Sequence, residues 1–271
     1  MSTTRVAVVT GANKGIGFEI VKRLCKEFDG LVYLTARDVA NGQKAVAKLE
    51  AEGLHPRFHQ LDITSQESVE KFKDYLDRTY GGLDVLVNNA GTAYKNASTA
   101  PFSEQASVTV ANNFTGTLRV TKALFPLIRP HGRVVNVSST AGRLGILQEH
   151  LHKKFTDPNL TEEGLVTLMD QFVKDVHDGH HSERGWPNTA YGTSKVGMTA
   201  LNKVYAREAA RLGKEDVLVN ACCPGWCQTD MSSQTGPNTA AQGAETPVHL
   251  VLLPLGSPTG EFWIDKTVAE W

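Results

Sequence analysis

Cysteine is scarce in this chain, with 4 residues in 271. That is too few for a disulfide framework at this length. Cys222 and Cys223 stand side by side in an apolar run, where buried free thiols are the usual case. Cys223 and Cys227 have a spacing that could hold a metal. Pro224-Gly225-Trp226 lies between them, however, and no second pair stands elsewhere, so no metal is expected. An excess of one charge is missing too. With 28 Lys+Arg against 29 Asp+Glu, the chain lacks the electrostatic footprint of a nucleic-acid or anionic-membrane binder. No apolar stretch approaches the roughly 20 residues that span a bilayer. Met1-Ser2-Thr3-Thr4-Arg5 runs into strand-like sequence without a secretory apolar region, and Val268-Ala269-Glu270-Trp271 carries no prenylation or peroxisomal signal. Internal repeats are absent. The expectation is a cytoplasmic globular protein, and 41 % hydrophobic with 21 % charged residues supplies a sizeable core within one domain.

What is present is an alternation of strands and helices. Arg5–Thr10 is a β-rich run, followed at once by Gly11-Ala12-Asn13-Lys14-Gly15-Ile16-Gly17. A helix with Ile16, Ile20, Val21 and Leu24 on one face comes next. Strand, glycine turn and helix together place bare backbone amides and a helix N-terminus against a pyrophosphate. Further strands are expected at Leu31–Ala36, Arg57–Leu61, Leu83–Val87, Arg133–Val137, Val217–Cys223 and Gly260–Ile264. Helices are expected at Val39–Glu52, from Ser65 to Tyr80, at Ser103–Ile128, through Arg211 and at Pro247–Leu253. This rhythm argues for an α/β fold, a Rossmann-type doubly wound parallel sheet. Gly11, Asp62, Asn89, Ser139 and Pro224 then all fall at carboxyl ends of strands, where ligands collect in such sheets.

The rhythm breaks between Arg143 and Pro187, far beyond an ordinary connection. Thr161-Glu162-Glu163 followed by Leu165, Leu168, Met169, Phe172, Val173 and Val176 reads as a capped amphipathic helix. Residues 143–187 are therefore expected to form a helical insertion within one domain spanning 1–271. Its histidines (His150, His152, His177, His180, His181) read as a solvated face, not a metal site. Residues 226–245, rich in Gly, Ser, Thr and Gln, read as a substrate loop.

Tyr191 and Lys195 stand one helical turn apart. A lysine ammonium there would pull the tyrosine pKa down from about 10, giving a general acid/base pair. Ser139, ending a strand, could donate a hydrogen bond to a substrate oxygen. After the second strand, Arg37 and the loop cation Lys14 could converge on the 2′-phosphate of NADP. Asp38, one residue further, could instead take the ribose 2′-hydroxyl of NAD. Both cofactors stay open on the residues, with the cations favouring NADP.

These residues resemble the short-chain dehydrogenase/reductase family over nearly the whole chain. Thr10-Gly11, Gly15, Gly17, Asn88-Asn89-Ala90-Gly91, Asn113, Ser139, Tyr191 and Lys195 stand where that family has them. Leu34-Thr35-Ala36-Arg37-Asp38, Arg57-Phe58-His59-Gln60-Leu61-Asp62, Cys222-Cys223-Pro224-Gly225-Trp226 and the long gap before Tyr191 are similar to its monomeric, NADPH-dependent carbonyl reductases. The resemblance implies reduction of quinones, ketones and aldehydes to alcohols, with NADPH/NADP+ as cofactor. It implies Asn113, Ser139, Tyr191 and Lys195 as catalytic residues, Asn113 holding a water in a proton relay from Tyr191 through Lys195. Cofactor contacts are implied for Gly11, Asn13, Lys14, Gly15, Ile16, Gly17, Arg37, Asp62, Ile63, Asn89, Tyr191, Lys195, Pro224, Gly225, Cys227 and Thr229. Asp62 would meet the adenine. Substrate contacts are implied for Ser139, Tyr191, Trp226, Tyr94 and Gln105. Tyr94-Lys95-Asn96 departs from the triplet these reductases use toward glutathione, and Asn41 replaces a second arginine. Most of the family form tetramers through the helices that carry the site, and the insertion would cover that surface, so a monomer is expected. An NAD-linked alcohol or prostaglandin dehydrogenase and a non-catalytic dinucleotide-binding scaffold are the rival readings.

Overall fold

The computed structural model describes residues 4–95 and 97–271. Eight strands make one sheet: β1 (Val6–Val9), β2 (Leu31–Ala36), β3 (Arg57–Gln60), β4 (Leu83–Asn88), β5 (Ile128–Val137), β6 (Leu218–Cys223), β7 (Phe262–Ile264) and β8 (Thr267–Ala269). Their spatial order is β3-β2-β1-β4-β5-β6-β7-β8. The first seven run parallel, and β8 returns antiparallel to β7. Chain order reverses between β1 and β4, opening a crevice at the carboxyl ends of both. Every residue of β1, β4 and β6 is buried, because helices cover the sheet on both sides and leave no wet face.

One face carries α1 (Gly15–Glu27), α2 (Val39–Glu50) and α10 (Glu245–Val251), joined by Ile20, Leu24, Leu49 and Val248. The other carries α3 (Gln66–Tyr80), α4 (Phe102–Val110), α5 (Thr117–Leu124) and α8 (Ala190–Arg211). α6 (Glu149–Phe155) and α7 (Glu162–His177) belong to the long segment before Tyr191, and α9 (Ala240–Gly243) follows the loop after β6. Side-chain caps fix several starts as the sequence predicts: Ser65 Oγ accepts from Ser68 N at 3.2 Å and Thr161 Oγ1 from Gly164 N at 3.1 Å.

Four expectations need correction. The helix expected over Ser103–Ile128 is broken: Ala111–Gly116 forms a π-helical turn between α4 and α5, and β5 already begins at Ile128. One extra residue per turn is a small slip in a stretch whose buried positions still recur every three to four residues, so the pattern reads as one helix. The strand expected at Gly260–Ile264 starts at Phe262, and β8 carries no sequence signal because three residues with exposed Thr267 and Val268 show no alternation. The segment expected as loop before Pro247 contains α9, opened by a reciprocal cap between Thr239 and Gln242. The segment 143–187 holds α6 and α7, and it is far less polar than its histidines suggest. Leu144, Leu147, Leu151, Phe155, Leu165, Met169, Phe172 and Trp186 are all buried in the core that includes α8.

α7 packs along α4 and α8. Gly197 makes that approach possible, since a Cβ there would stand 2.7 Å from Met169 Sδ. Polar ties reinforce it. Glu162 takes Lys122 Nζ at 2.6 Å on one oxygen and the Tyr205 hydroxyl at 2.7 Å on the other. His177 bonds Ser107 at 2.8 Å. Further along, the buried carboxylate of Asp175 accepts from Arg184, Gln171 and the Trp186 indole. A buried charge needs such full pairing.

Candidate active site

The glycine turn sits where β1 meets α1. Gly15 has φ +58°, outside the usual range of L side chains. At Gly17 a Cβ would stand 2.4 Å from Asn89 Nδ2, so only glycine fits. Asn89 Nδ2 donates to Thr10 O at 3.0 Å and Gly11 O at 3.1 Å. Thr10 Oγ1 accepts from the amides of Asn89 and Ala90, each at 3.0 Å. The motif Asn88-Asn89-Ala90-Gly91 is thus stitched to the turn. α1 begins after Lys14 with no side-chain cap and no acidic residue in its first turn. Its leading amides are those of an anion site, and the residues present fit a dinucleotide pyrophosphate.

Around this turn lie the other cofactor candidates. Arg37 follows β2 with an exposed side chain. Asp38 is committed locally: its Oδ1 accepts from Asn41 N at 2.7 Å as the N-cap of α2. Asp62 Oδ1 holds Thr64 through its N (2.9 Å) and Oγ1 (2.7 Å), while Ile63 is buried against Gly116. Asn13 and Ile16 lie in the turn, and Ile16 also meets the Gly243 position of α9. Pro224 and Gly225 follow β6. The Cys227 thiol is buried and donates to Pro224 O at 3.2 Å. Thr229 lies across from Gly15. The next residue makes a contact that sequence spacing hides: Asp230 Oδ2 accepts from Lys14 Nζ at 2.7 Å, both side chains about two-thirds exposed (64 % and 66 %).

Thr189 caps α8 through Gly192 N at 3.0 Å and so starts the helix one residue before Tyr191. Lys195 is buried, and its ammonium donates to Val137 O at 2.8 Å and lies 5.5 Å from the Tyr191 ring centroid. Burial pushes it down to about 8. Burial likewise pushes the Tyr191 phenol up to about 12, opposed by the Ser139 hydroxyl, which favours the phenolate. The Lys195 ammonium lies against the ring and is bonded to the Val137 carbonyl, while the Ser139 hydroxyl exerts the lowering pull on the phenol. Ser139 caps the 3-10 turn Thr140–Gly142 through Ala141 N at 3.1 Å.

Asn113 is fully buried in the π turn. Its Oδ1 accepts from Thr92 N at 2.7 Å, and its Nδ2 donates to Thr92 O at 2.9 Å and Ser194 Oγ at 3.0 Å. The side chain therefore ties α8 to the segment after β4, and Ser194 and Thr92 are partners that the motifs did not single out. Of the substrate candidates, Trp226 is 61 % exposed. Tyr94 donates to Glu104 Oε1 at 2.8 Å and Gln105 to Ala100 O at 2.8 Å, which bonds them within their own segment. Asn96 lies outside the described residues. Cys222 and Cys223 are buried. Among the described residues no group of three or more His, Cys, Asp or Glu side chains is placed to hold a metal ion.

A family model of the short chain dehydrogenases matches residues 5–150 and 180–240. The chain belongs to the short-chain dehydrogenase family. The stretch that this model leaves unmatched in between coincides with most of α6 and all of α7. Among relatives in the short-chain dehydrogenase family, carbonyl reductase (NADPH) 1 of Bos taurus is 52 % identical over 275 residues, covering 100 % of this chain and 99 % of that protein. The Homo sapiens protein of the same name is 51 % identical with the same coverage. Salutaridine reductase of Papaver somniferum is a similar solved structure, with TM-score 0.86, 34 % identity, and 96 % and 99 % of the two chains covered.

Proposed function

We propose that this chain reduces quinones, ketones and aldehydes to alcohols with NADPH, and that Asn113, Ser139, Tyr191 and Lys195 carry the reaction. The observation that carries the reading is full-length identity of about half with relatives named NADPH carbonyl reductases. Bound NADPH would supply the hydride, leaving as NADP+. Tyr191 gives its phenolic proton to the substrate oxygen, completing the alcohol. Ser139 donates a hydrogen bond to the same oxygen and stabilises the charge growing there. Lys195 lies behind the ring and passes a proton back to Tyr191. Asn113, whose side chain is spent on Thr92 and Ser194, is proposed to serve this relay by holding a water through its backbone. Trp226, Tyr94 and Gln105 are proposed to border the substrate.

The phosphates rest on Gly11 to Gly17, with Asn13, Ile16 and Asn89 beside them. Lys14 and Arg37 take the 2′-phosphate, Asp62 and Ile63 the adenine, and Pro224, Gly225, Cys227 and Thr229 the nicotinamide end. The NAD-linked alternative needs Asp38 to turn toward a ribose, and that carboxylate is already the cap of α2. We also propose one domain over 1–271 that works as a cytoplasmic monomer, with 143–187 inserted and 226–245 as substrate loop. The covering of α4 and α8 by α7 supports the monomer, and no helix among the described residues is long and apolar enough to cross a membrane.

The test is oxidation of NADPH against NADH with a simple quinone. Fast turnover with NADPH and little with NADH is expected; preference for NADH overturns the cofactor assignment. Tyr191→Phe should cost roughly 10²–10⁴ in kcat, the usual share of a general acid, while NADPH still binds. Undiminished turnover by that variant overturns the assignment of Tyr191.

A further inference from the structure

We infer that Trp271 is a positioning residue for the turn that carries Ser139. This rests on the role proposed for Ser139 above. The turn Thr140–Gly142 is one 3-10 turn, too short to hold a fixed shape by its own bonds. Gly142 N donates to Ser139 O at 3.0 Å, so the two ends of the turn move together. One side of it rests on α8. A Cβ on Gly142 would stand 2.5 Å from Lys195 Cβ, and one on Gly192 would stand 2.8 Å from Ala141 O. A second constraint comes from Trp271. Trp271 donates its indole N–H to Gly142 O at 2.8 Å, across 129 residues of sequence.

The indole is itself held. It packs against the core that includes α8 and against the small cluster of Ala221, Cys223 and Phe262 at the β6–β7 edge. Lys203 of α8 places its ammonium 5.9 Å from the ring centroid, a cation–π contact. β8, pairing back along β7, delivers the chain to this point. Trp271 thus bridges α8 and the Ser139 turn, the two elements whose separation sets the distance between Ser139 and Tyr191. Neither Trp271 nor Gly142 touches a reacting atom. Their effect passes through the aim of the Ser139 hydroxyl.

Trp271→Phe leaves a smaller aromatic ring facing Lys203 and removes the N–H. Rates are counted per NADPH-binding site, so unfolded protein does not enter. The expected result is a kcat about three- to ten-fold lower, because misplacement of well under 1 Å at a reacting group costs about this much. NADPH affinity should be unchanged, and the primary isotope effect with deuterated NADPH should rise as the hydride step slows. Lys203→Met, which keeps the N–H and loses only the cation–π contact, should lower kcat by less than Trp271→Phe does. Ser139→Ala is measured beside them. If it loses turnover while Trp271→Phe keeps both kcat and isotope effect, the positioning role is overturned and the site reading stands. A fall in Tm alone, with kcat per site unchanged, overturns it equally. If Ser139→Ala keeps turnover, the role of Ser139 falls first and that of Trp271 with it.

Discussion

A phenol pushed up to about 12 by burial keeps its proton at neutral pH but gives it up less readily than a free phenol, so the Ser139 hydroxyl, which favours the phenolate, works in the direction the proton transfer needs. Lys195 is the residue whose charge is vulnerable. Its folded-state value of about 8 lies below the ordinary 10.5. Between those two values the unfolded chain holds a proton that the folded chain has released, so stability from this residue rises with pH across that window. Below about pH 8 the buried charge is carried at a cost. Lys195→Met removes this dependence. Thermal melts at neutral pH and near pH 10 should show the parent gaining on the variant as pH rises; a constant difference would contradict the sign. A second residue-scale expectation concerns Asp230. It occupies Lys14, so a 2′-phosphate must displace it. Asp230→Asn should tighten NADPH binding a few-fold at most, since exposed pairs are weak, and leave NADH binding alone. Calorimetric titration with both cofactors checks this.

At the scale of elements, α7 lies on α8 through a glycine. Gly197→Ala would drive a methyl against Met169 Sδ and against Phe114, 2.9 Å from its Cδ2. A cost of about 1–3 kcal/mol is expected from overpacking, toward the lower end because the methionine can swing. Urea unfolding measures it, and an unchanged midpoint would mean that α7 lifts freely. The same elements show what the sequence makes legible. The glycine turn, Asn88 to Gly91, and Tyr191 with Lys195 are local signals, each encoded within one turn of chain, and the parallel strands announce themselves as buried apolar runs. The π turn around Asn113 keeps its helical periodicity and is invisible. Contacts such as Lys14 with Asp230 or Trp271 with Gly142 join residues more than a hundred positions apart, and no window along the chain contains both partners.

At the scale of the molecule, the segment before Tyr191 does inside one chain what a partner subunit could do between chains. Met169, Glu162 and His177 close the outer faces of α4 and α8 with side chains of the same polypeptide. Size-exclusion chromatography with light scattering should therefore give a mass near 29.5 kDa at all practical concentrations; a dimer or tetramer would show that another surface pairs. If the protein is the monomer proposed above, this helix supplied in cis is present at a fixed effective concentration and the site needs no association equilibrium. Specific activity should hold constant when the protein is diluted to nanomolar levels. A cell could then set its total activity in linear proportion to the number of copies made.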